Sequence, residues 1–90
     1  MMLDGNQLAK FHEDGFLFLP GWFSSTESST LLGEASKVYA MDRTEVVREK
    51  SGAARTAFAA HTYNEGFRLL GAHPRLIKPV MQLLGEEVYM

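Results

Sequence analysis

The residues of this chain that could bind a metal are few, and they begin with His12 and Asp14, an H-x-D pair. Two histidines and one carboxylate form the open triad that holds Fe(II) in non-haem sites, and two of those ligands usually share this spacing on one strand. The third ligand would have to be His61 or His73. The surrounding pattern instead predicts a solvated helix end, with His12 near the negative end of the helix dipole. We therefore predict no metal ligand and no catalytic residue in the chain.

Three polar side chains, Arg55, His61 and Lys50, are candidates for lining a substrate pocket. Arg55 lies in a run of small residues, and a buried arginine needs a partner. Its guanidinium could bind a carboxylate through two parallel hydrogen bonds. The alternative is an exposed arginine on an edge strand. His61 could line the same pocket or make a local hydrogen bond in a loop, and Lys50 is a weaker candidate in the segment before Arg55.

The first elements that would position these residues are a helix and a strand. Asp4 with Gln7 forms a capping box, which predicts a helix over residues 5–14 that ends at Gly15. The continuous apolar run Phe16–Leu19 between a glycine and a proline predicts a strand buried on both faces. Pro20-Gly21 then predicts a turn.

The rest of the chain predicts three more helices and short strands. A second capping box at Ser24 opens a helix from Ser25 to Ala40, and Val46-Val47 predicts a short strand. The run Ala53–His61 favours a strand, although its alanines leave a helix open. Further predictions are a helix over 65–72, a helix after Pro74 that starts late or kinks near Pro79, a stop at Gly85, and a strand beginning over 86–90.

Length and composition narrow the class of protein. The 90 residues make one domain or part of one, and we predict a single domain over 1–90. A net charge of −2 with scattered basic residues argues against a nucleic-acid partner, which requires clustered Lys and Arg. The chain has no cysteine, which fits a cytoplasmic protein. No apolar stretch approaches the ~20 residues that span a bilayer, so we predict no membrane partner.

Three sequence blocks, in order, resemble one enzyme family. They read QLAKFHEDGFLFLPGWFS, EVVREKSGAARTAFAAH and HPRLIKPVMQLLGEEVYM. The first and last are similar to those of bacterial phytanoyl-CoA dioxygenase homologues, and the middle one is similar to an ectoine hydroxylase-like subgroup of them. None of the blocks is a catalytic signature, but their order makes chance similarity a poor explanation.

The resemblance implies an α+β fold, made of an N-terminal helical cap plus the first strands of a double-stranded β-helix (a jelly roll of the cupin-like kind) that is incomplete in this chain. It implies a parent enzyme that uses Fe(II) and 2-oxoglutarate to hydroxylate a small-molecule substrate. The iron ligands and the 2-oxoglutarate arginine of that family have no matching positions here, so Arg55 is not that arginine. We expect this chain alone to bind neither cofactor and to be inactive. The alternative is a free-standing helical module that acts by binding or by self-association through exposed apolar faces.

Overall fold

The computed structural model describes residues 2–89, which form four α-helices, one short 3-10 helix and one two-stranded sheet. In chain order the elements are α1 (Gly5–Asp14), α2 (Ser25–Tyr39), β1 (Val46–Arg48), β2 (Ala54–Ala57), the 3-10 helix (Ala60–Thr62), α3 (Glu65–Gly71) and α4 (Pro74–Leu84). The chain divides into two compact units. The first unit is Met1–Trp22 with Gly71–Met90, and the second unit is Phe23–Leu70.

Helix α1 is the first helix of the first unit, and the predictions of its bounds and caps are confirmed. The Asp4 carboxylate accepts a hydrogen bond from the backbone N–H of Gln7, and the Gln7 side chain accepts one from the N–H of Asp4. Gly15 ends the helix with φ of +80°, in the left-handed region that glycine enters without steric cost. The segment before α1 is tied to α4, because the Gln82 side-chain amide exchanges two hydrogen bonds with the backbone of Leu3.

Helix α4 begins at Pro74, as the N1 position predicts, and it runs without interruption through Pro79 to Leu84. The expectation of a late start is therefore wrong, while the alternative of a kink near Pro79 stays a prediction. Pro79 has no N–H to give to the carbonyl of Arg75, four residues earlier. The indole Nε1–H of Trp22 donates to that same carbonyl at 2.6 Å, so its hydrogen bond is replaced from outside the helix.

Two predicted strands of the first unit are not formed among the described residues. The run Phe16–Leu19 lies in neither helix nor strand, and it is not buried on both faces, because Phe16 is 64% and Phe18 78% exposed. Residues 86–89 likewise form no strand, and Met90 lies outside the described residues. A strand requires a neighbour for its backbone hydrogen bonds. The two strands of the described chain pair with each other.

The second unit is built on α2 and an antiparallel hairpin. Ser24 and Glu27 form the predicted capping box of α2, and Val38 on that helix is 2% exposed. Strand β1 confirms the predicted strand at Val46-Val47 and pairs with β2. The register runs Val46 to Ala57, Val47 to Thr56 and Arg48 to Ala54, so Arg55 is an unpaired bulge residue.

The predicted strand over Ala53–His61 is correct only in its first half. Strand β2 ends at Ala57, and Ala59 takes a left-handed conformation with φ of +54° before the 3-10 helix. A positive φ breaks the extended backbone that a strand needs. The Tyr63 hydroxyl donates to the carbonyl of Phe58 at 2.9 Å and closes this turn. No helix among residues 2–89 is long and apolar enough to cross a bilayer.

Candidate functional site

Arg55, the main pocket candidate, lies on the exposed side of the β1–β2 hairpin. As the bulge residue of β2 it stands outside the regular alternation of the strand, and bulges re-aim a side chain in this way. Its side chain is 67% exposed, and its Nε lies 3.9 Å from the carboxylate of Glu49, which is also exposed. An ion pair of this length in solvent is weak. The guanidinium is therefore available for a stronger carboxylate partner.

The hairpin also carries Lys50, in the turn between its strands. The turn is held by two backbone hydrogen bonds, from Gly52 N to Glu49 O at 2.9 Å and from Glu49 N to Ala53 O at 2.8 Å. Gly52 has φ of +92°, so the turn needs glycine at that position. Lys50 is exposed at the turn. The structure thus places Lys50 and Arg55 on one hairpin.

His61, the third candidate, does not share that hairpin. It lies half-buried in the 3-10 helix that follows β2. Two residues after His61, the guanidinium of Arg43 lies over the ring of Tyr63, 4.0 Å from the ring centroid. Arg43 also hydrogen-bonds the carboxylate of Glu45, and this bond holds the pKa of Glu45 below its ordinary value.

Arg48 fixes the hairpin to the end of α2, and sequence reasoning missed this role. Its guanidinium donates to the carbonyls of Tyr39 and Met41 at the C-terminal end of α2, and to the carbonyl of Gly52 in the hairpin turn. A cation at a helix C-terminus is also favoured by the helix dipole. Arg48 is one of six charged residues over 41–52, and no sequence signal distinguished it from the others.

Asn64 joins α3 to α2 and is the buried polar residue of the described chain. Its side-chain oxygen accepts from the N–H of Phe67 and caps α3, while its Nδ2 donates to the Glu34 carboxylate at 3.1 Å. This bond, and next the bond from Lys37, hold the pKa of Glu34 below its ordinary value. Gly66 makes room for the contact, because a Cβ there would lie 2.9 Å from Cγ of Glu34.

The H-x-D pair does not form a metal site. His12 and Asp14 stand in the last turn of α1, where side chains two residues apart do not face each other. Asp14 pairs with Lys10 at 3.1 Å, and the His12 ring packs edge-on against Phe11. His73 caps α4, since its Nδ1 accepts from the N–H of Arg75. Across residues 2–89, no three His, Asp or Glu side chains are grouped to hold a metal ion.

Two apolar cavities lie in the first unit. A partly open cavity of about 220 Å³ lies between α1, the Phe16–Leu19 segment and α4, with Trp22 in its wall. An open groove of about 520 Å³ lies along α4 and the residues after it. Polar groups that could orient a substrate are few in both: Arg75 in the first, Glu86 and Glu87 in the second. None of Arg55, His61 and Lys50 lines either cavity.

Comparison with known proteins finds two similar enzymes. It is 33% identical, over 93 aligned residues, to the ectoine dioxygenases of Bordetella bronchiseptica and Bordetella parapertussis. The chain is similar to ectoine dioxygenases over nearly its whole length. The alignment covers 98% of this chain and 30% of each relative, so the chain spans about 30% of their length. No protein-family model matches the sequence.

The comparison supports the resemblance to ectoine hydroxylase-like proteins that the three sequence blocks indicated, at low identity. The relatives are dioxygenases by name, which makes them oxidoreductases. Because the alignment covers 98% of the chain, it includes nearly all residues of the three blocks. The likeness therefore extends over the helices, the hairpin and the candidate residues together.

Proposed function

We propose that this chain is the N-terminal segment of a non-haem iron(II) and 2-oxoglutarate-dependent dioxygenase of the phytanoyl-CoA dioxygenase family. The observation that carries the proposal is the 33% identity to two ectoine dioxygenases over 98% of the chain. In the parent protein these residues serve as the helical cap and first strands of a jelly roll, and they wall one side of the active site.

The exposed aromatic side chains of Phe16 and Phe18 support this role. They alternate with Leu17 and Leu19, which are half-buried and line the cavity beside α1. Alternation with a period of two is the geometry of an extended strand with a face on each side. In the parent, a neighbouring strand pairs with this segment and a further layer covers Phe16 and Phe18.

The residues described here do not fit an iron site. The side chains of His12 and Asp14 do not face each other on α1, and Asp14 is paired with Lys10. We propose that the parent binds iron and 2-oxoglutarate through residues outside this chain, and that the chain alone is inactive. In the parent, iron held by those residues would supply the oxidising power for hydroxylation of a small-molecule substrate. Arg55 contributes by binding a carboxylate of that substrate, with Lys50 and His61 as further pocket candidates.

The test of the parent assignment is to sequence the gene past codon 90 and to weigh the intact natural product. The proposal expects an open reading frame that continues into an H-x-D or H-x-E pair and, later, a further histidine. The longer product should then consume 2-oxoglutarate when supplied with Fe(II), with ectoine as the first substrate to assay. A stop codon after Met90 together with an intact mass of 10.1 kDa would refute it.

The pocket role of Arg55 is tested separately in the longer product. Arg55→Ala should raise the substrate KM about tenfold or more while leaving the KM for 2-oxoglutarate unchanged, since a lost charged hydrogen bond costs about 1.5–3 kcal/mol. Arg68→Ala is the matched control, because Arg68 is also an exposed arginine paired with a glutamate. Unchanged substrate kinetics in Arg55→Ala would remove Arg55 from the pocket and leave the parent assignment intact.

A further inference from the structure

The cavity of about 220 Å³ in the first unit has a largely apolar wall. The apolar side chains that line it include Leu3, Phe11, Leu17, Leu19, Pro79 and Leu83. Leu3 and Pro79 are buried, and the other four are half-buried. Half-buried apolar side chains lose water contact and gain dispersion contacts when an apolar molecule fills the space between them. The cavity is therefore suited to an apolar occupant.

Hydrogen bonds to α4 hold the N-terminal part of this wall in position. The backbone of Leu3 is joined to the Gln82 side chain by bonds of 2.7 and 3.1 Å. The indole N–H of Trp22 donates to the Arg75 carbonyl at 2.6 Å, and the Arg75 guanidinium donates to the Trp22 carbonyl at 3.3 Å. These four bonds attach the segments before and after α1 to the same helix. The site is thus formed before a ligand arrives, which lowers the cost of binding.

The polar groups of the wall are already bonded to each other. Among residues 2–89, the lining side chains that carry a polar atom are those of Trp22 and Arg75, and each donates to the carbonyl of the other. A buried water molecule needs two to four polar partners, which this wall does not supply. A polar ligand would likewise leave its own hydrogen bonds unmade. The chemistry of the wall therefore selects an uncharged, apolar ligand.

We propose that this cavity binds a small, uncharged apolar molecule the size of one six-membered ring. An apolar cavity of about 150 Å³ takes up benzene, and the cavity of about 220 Å³ has room for a ring with one short substituent. Because the cavity is partly open, such a molecule can enter directly from solvent. This inference goes beyond the proposed dioxygenase function and does not depend on it.

Fluorescence of the 90-residue chain tests the proposal. Trp22 is the one tryptophan of the sequence and stands in the cavity wall, so its emission reports on occupancy. Bromobenzene is the probe, because its bromine quenches indole emission on contact. The quenching should saturate with a Kd of about 0.1–1 mM and should be reversed by toluene. An absence of saturable quenching at ~2 mM bromobenzene, above that Kd, would overturn the proposal.

Benzoate tests the chemical class of the ligand. It has the same ring as toluene but carries a carboxylate that could pair with the guanidinium of Arg75. We expect benzoate to displace bromobenzene at least tenfold more weakly than toluene does. Displacement by benzoate at equal or lower concentration would show that the site is an anion site, and the apolar class would be wrong.

A variant that fills the cavity tests the location. Leu17→Phe adds a ring to the wall and should raise the Kd for bromobenzene tenfold or more. Leu32→Phe is the matched control, since Leu32 is a 70% exposed leucine on α2, and it should leave the Kd unchanged. Circular dichroism should show wild-type helix content in both variants. Unchanged binding in Leu17→Phe, or an equal loss in Leu32→Phe, would contradict binding in this cavity.

NMR of the wild-type chain locates the ligand without any substitution. Bound toluene should give intermolecular NOEs to the methyl groups of Leu17 and Leu83. NOEs confined to Val88 and Tyr89 would place toluene in the open groove of about 520 Å³ instead and would refute the assignment.

Discussion

At the scale of the residue, the contact between Trp22 and the Arg75 carbonyl explains how a proline is accommodated inside α4. Pro79 deprives that carbonyl of its helical donor, and the indole N–H of Trp22 supplies another at 2.6 Å. A buried carbonyl left without a donor costs about 1–3 kcal/mol. Trp22 and Pro79 are thus coupled through the carbonyl oxygen of Arg75.

Trp22→Phe should therefore lower the free energy of unfolding by about 1–3 kcal/mol, through loss of the indole donor and some packing. In a Pro79→Ala background the helix regains its own N–H, so the same substitution should cost less. Urea unfolding of the four proteins in this cycle measures the coupling. An equal cost of Trp22→Phe in both backgrounds would contradict the replacement of the helical donor by the indole.

Glu34 and Asn64 form a second coupled pair, with a consequence for pH. The pKa of Glu34 is lowered by the bond from Asn64 and then by Lys37. A carboxyl whose folded pKa is depressed stabilises the fold above its unfolded pKa, and this stabilisation is lost as the pH falls through the folded pKa. The loss should therefore appear below the ordinary glutamate range, on the acid side.

Asn64→Asp tests the cause of that depressed pKa. The aspartate keeps an oxygen to cap α3 but replaces the Nδ2 donor with a second negative charge. The pKa of Glu34, followed by NMR of its side-chain carboxyl carbon, should rise above its wild-type value. Lys37→Ala is the comparison and should raise it less, because the Lys37 bond is the smaller of the two contributions. A Glu34 pKa unchanged by Asn64→Asp would show that the Asn64 bond is not its cause.

At the scale of the element, the hairpin depends on Arg48 for its attachment to α2. Three carbonyls, those of Tyr39, Met41 and Gly52, accept from one guanidinium. The fork geometry of arginine makes this possible, whereas lysine presents a single point charge. Arg48 and Arg55 lie on the two strands of the same hairpin, yet the first has a structural role and the second is exposed beside Glu49.

Arg48→Ala should destabilise the chain by about 1 kcal/mol, and Arg48→Lys should recover only part of that loss. Arg55→Ala is the matched substitution on the opposite strand and should change stability by no more than about 0.5 kcal/mol. Thermal or urea unfolding measures both. If the two alanine variants were equally stable, the bonds from Arg48 to the end of α2 would not contribute to folding.

At the scale of the whole molecule, the described residues bury few side chains fully. Leu3, Val38, Val46 and Pro79 are the buried apolar residues, whereas large side chains such as Phe16 and Phe18 face solvent. Small domains bury a smaller share of their surface than large ones, so a chain of this length gains stability from any further layer packed against it. The proposed parent protein would supply that layer to Phe16 and Phe18.

Phe18→Ser distinguishes the role of this segment in the two contexts. In the 90-residue chain, where Phe18 is 78% exposed, it should change stability by no more than about 0.5 kcal/mol. In the longer product, where we expect Phe18 to be covered, the same change should cost about 3 kcal/mol or more. Unfolding experiments on both proteins provide the measurement. A small effect in the longer product would mean that Phe18 is not covered there.

Local sequence signals determined the ends of the helices. The capping boxes at Asp4 and Ser24, and the stops at Gly15 and Gly85, lie where the residue types predict, because each is satisfied by atoms a few residues away. The short strand at Val46-Val47 was predictable for a similar reason, since β-branched residues favour a pleated, half-buried surface. The order of three sequence blocks also indicated the resemblance to dioxygenases.

Features that depend on distant residues were settled by tertiary contacts. Pro79 is tolerated because the indole N–H of Trp22, which is distant in sequence, donates to the carbonyl of Arg75. No sequence pattern near Pro79 predicts that donor. The Phe16–Leu19 run is apolar enough for a buried strand, but apolarity does not supply the neighbour whose backbone must pair with it. Arg55 owes its exposed position to a bulge set by the pairing of β1 with β2. In each case the outcome depends on which atoms meet across the fold, and that information is not local in sequence.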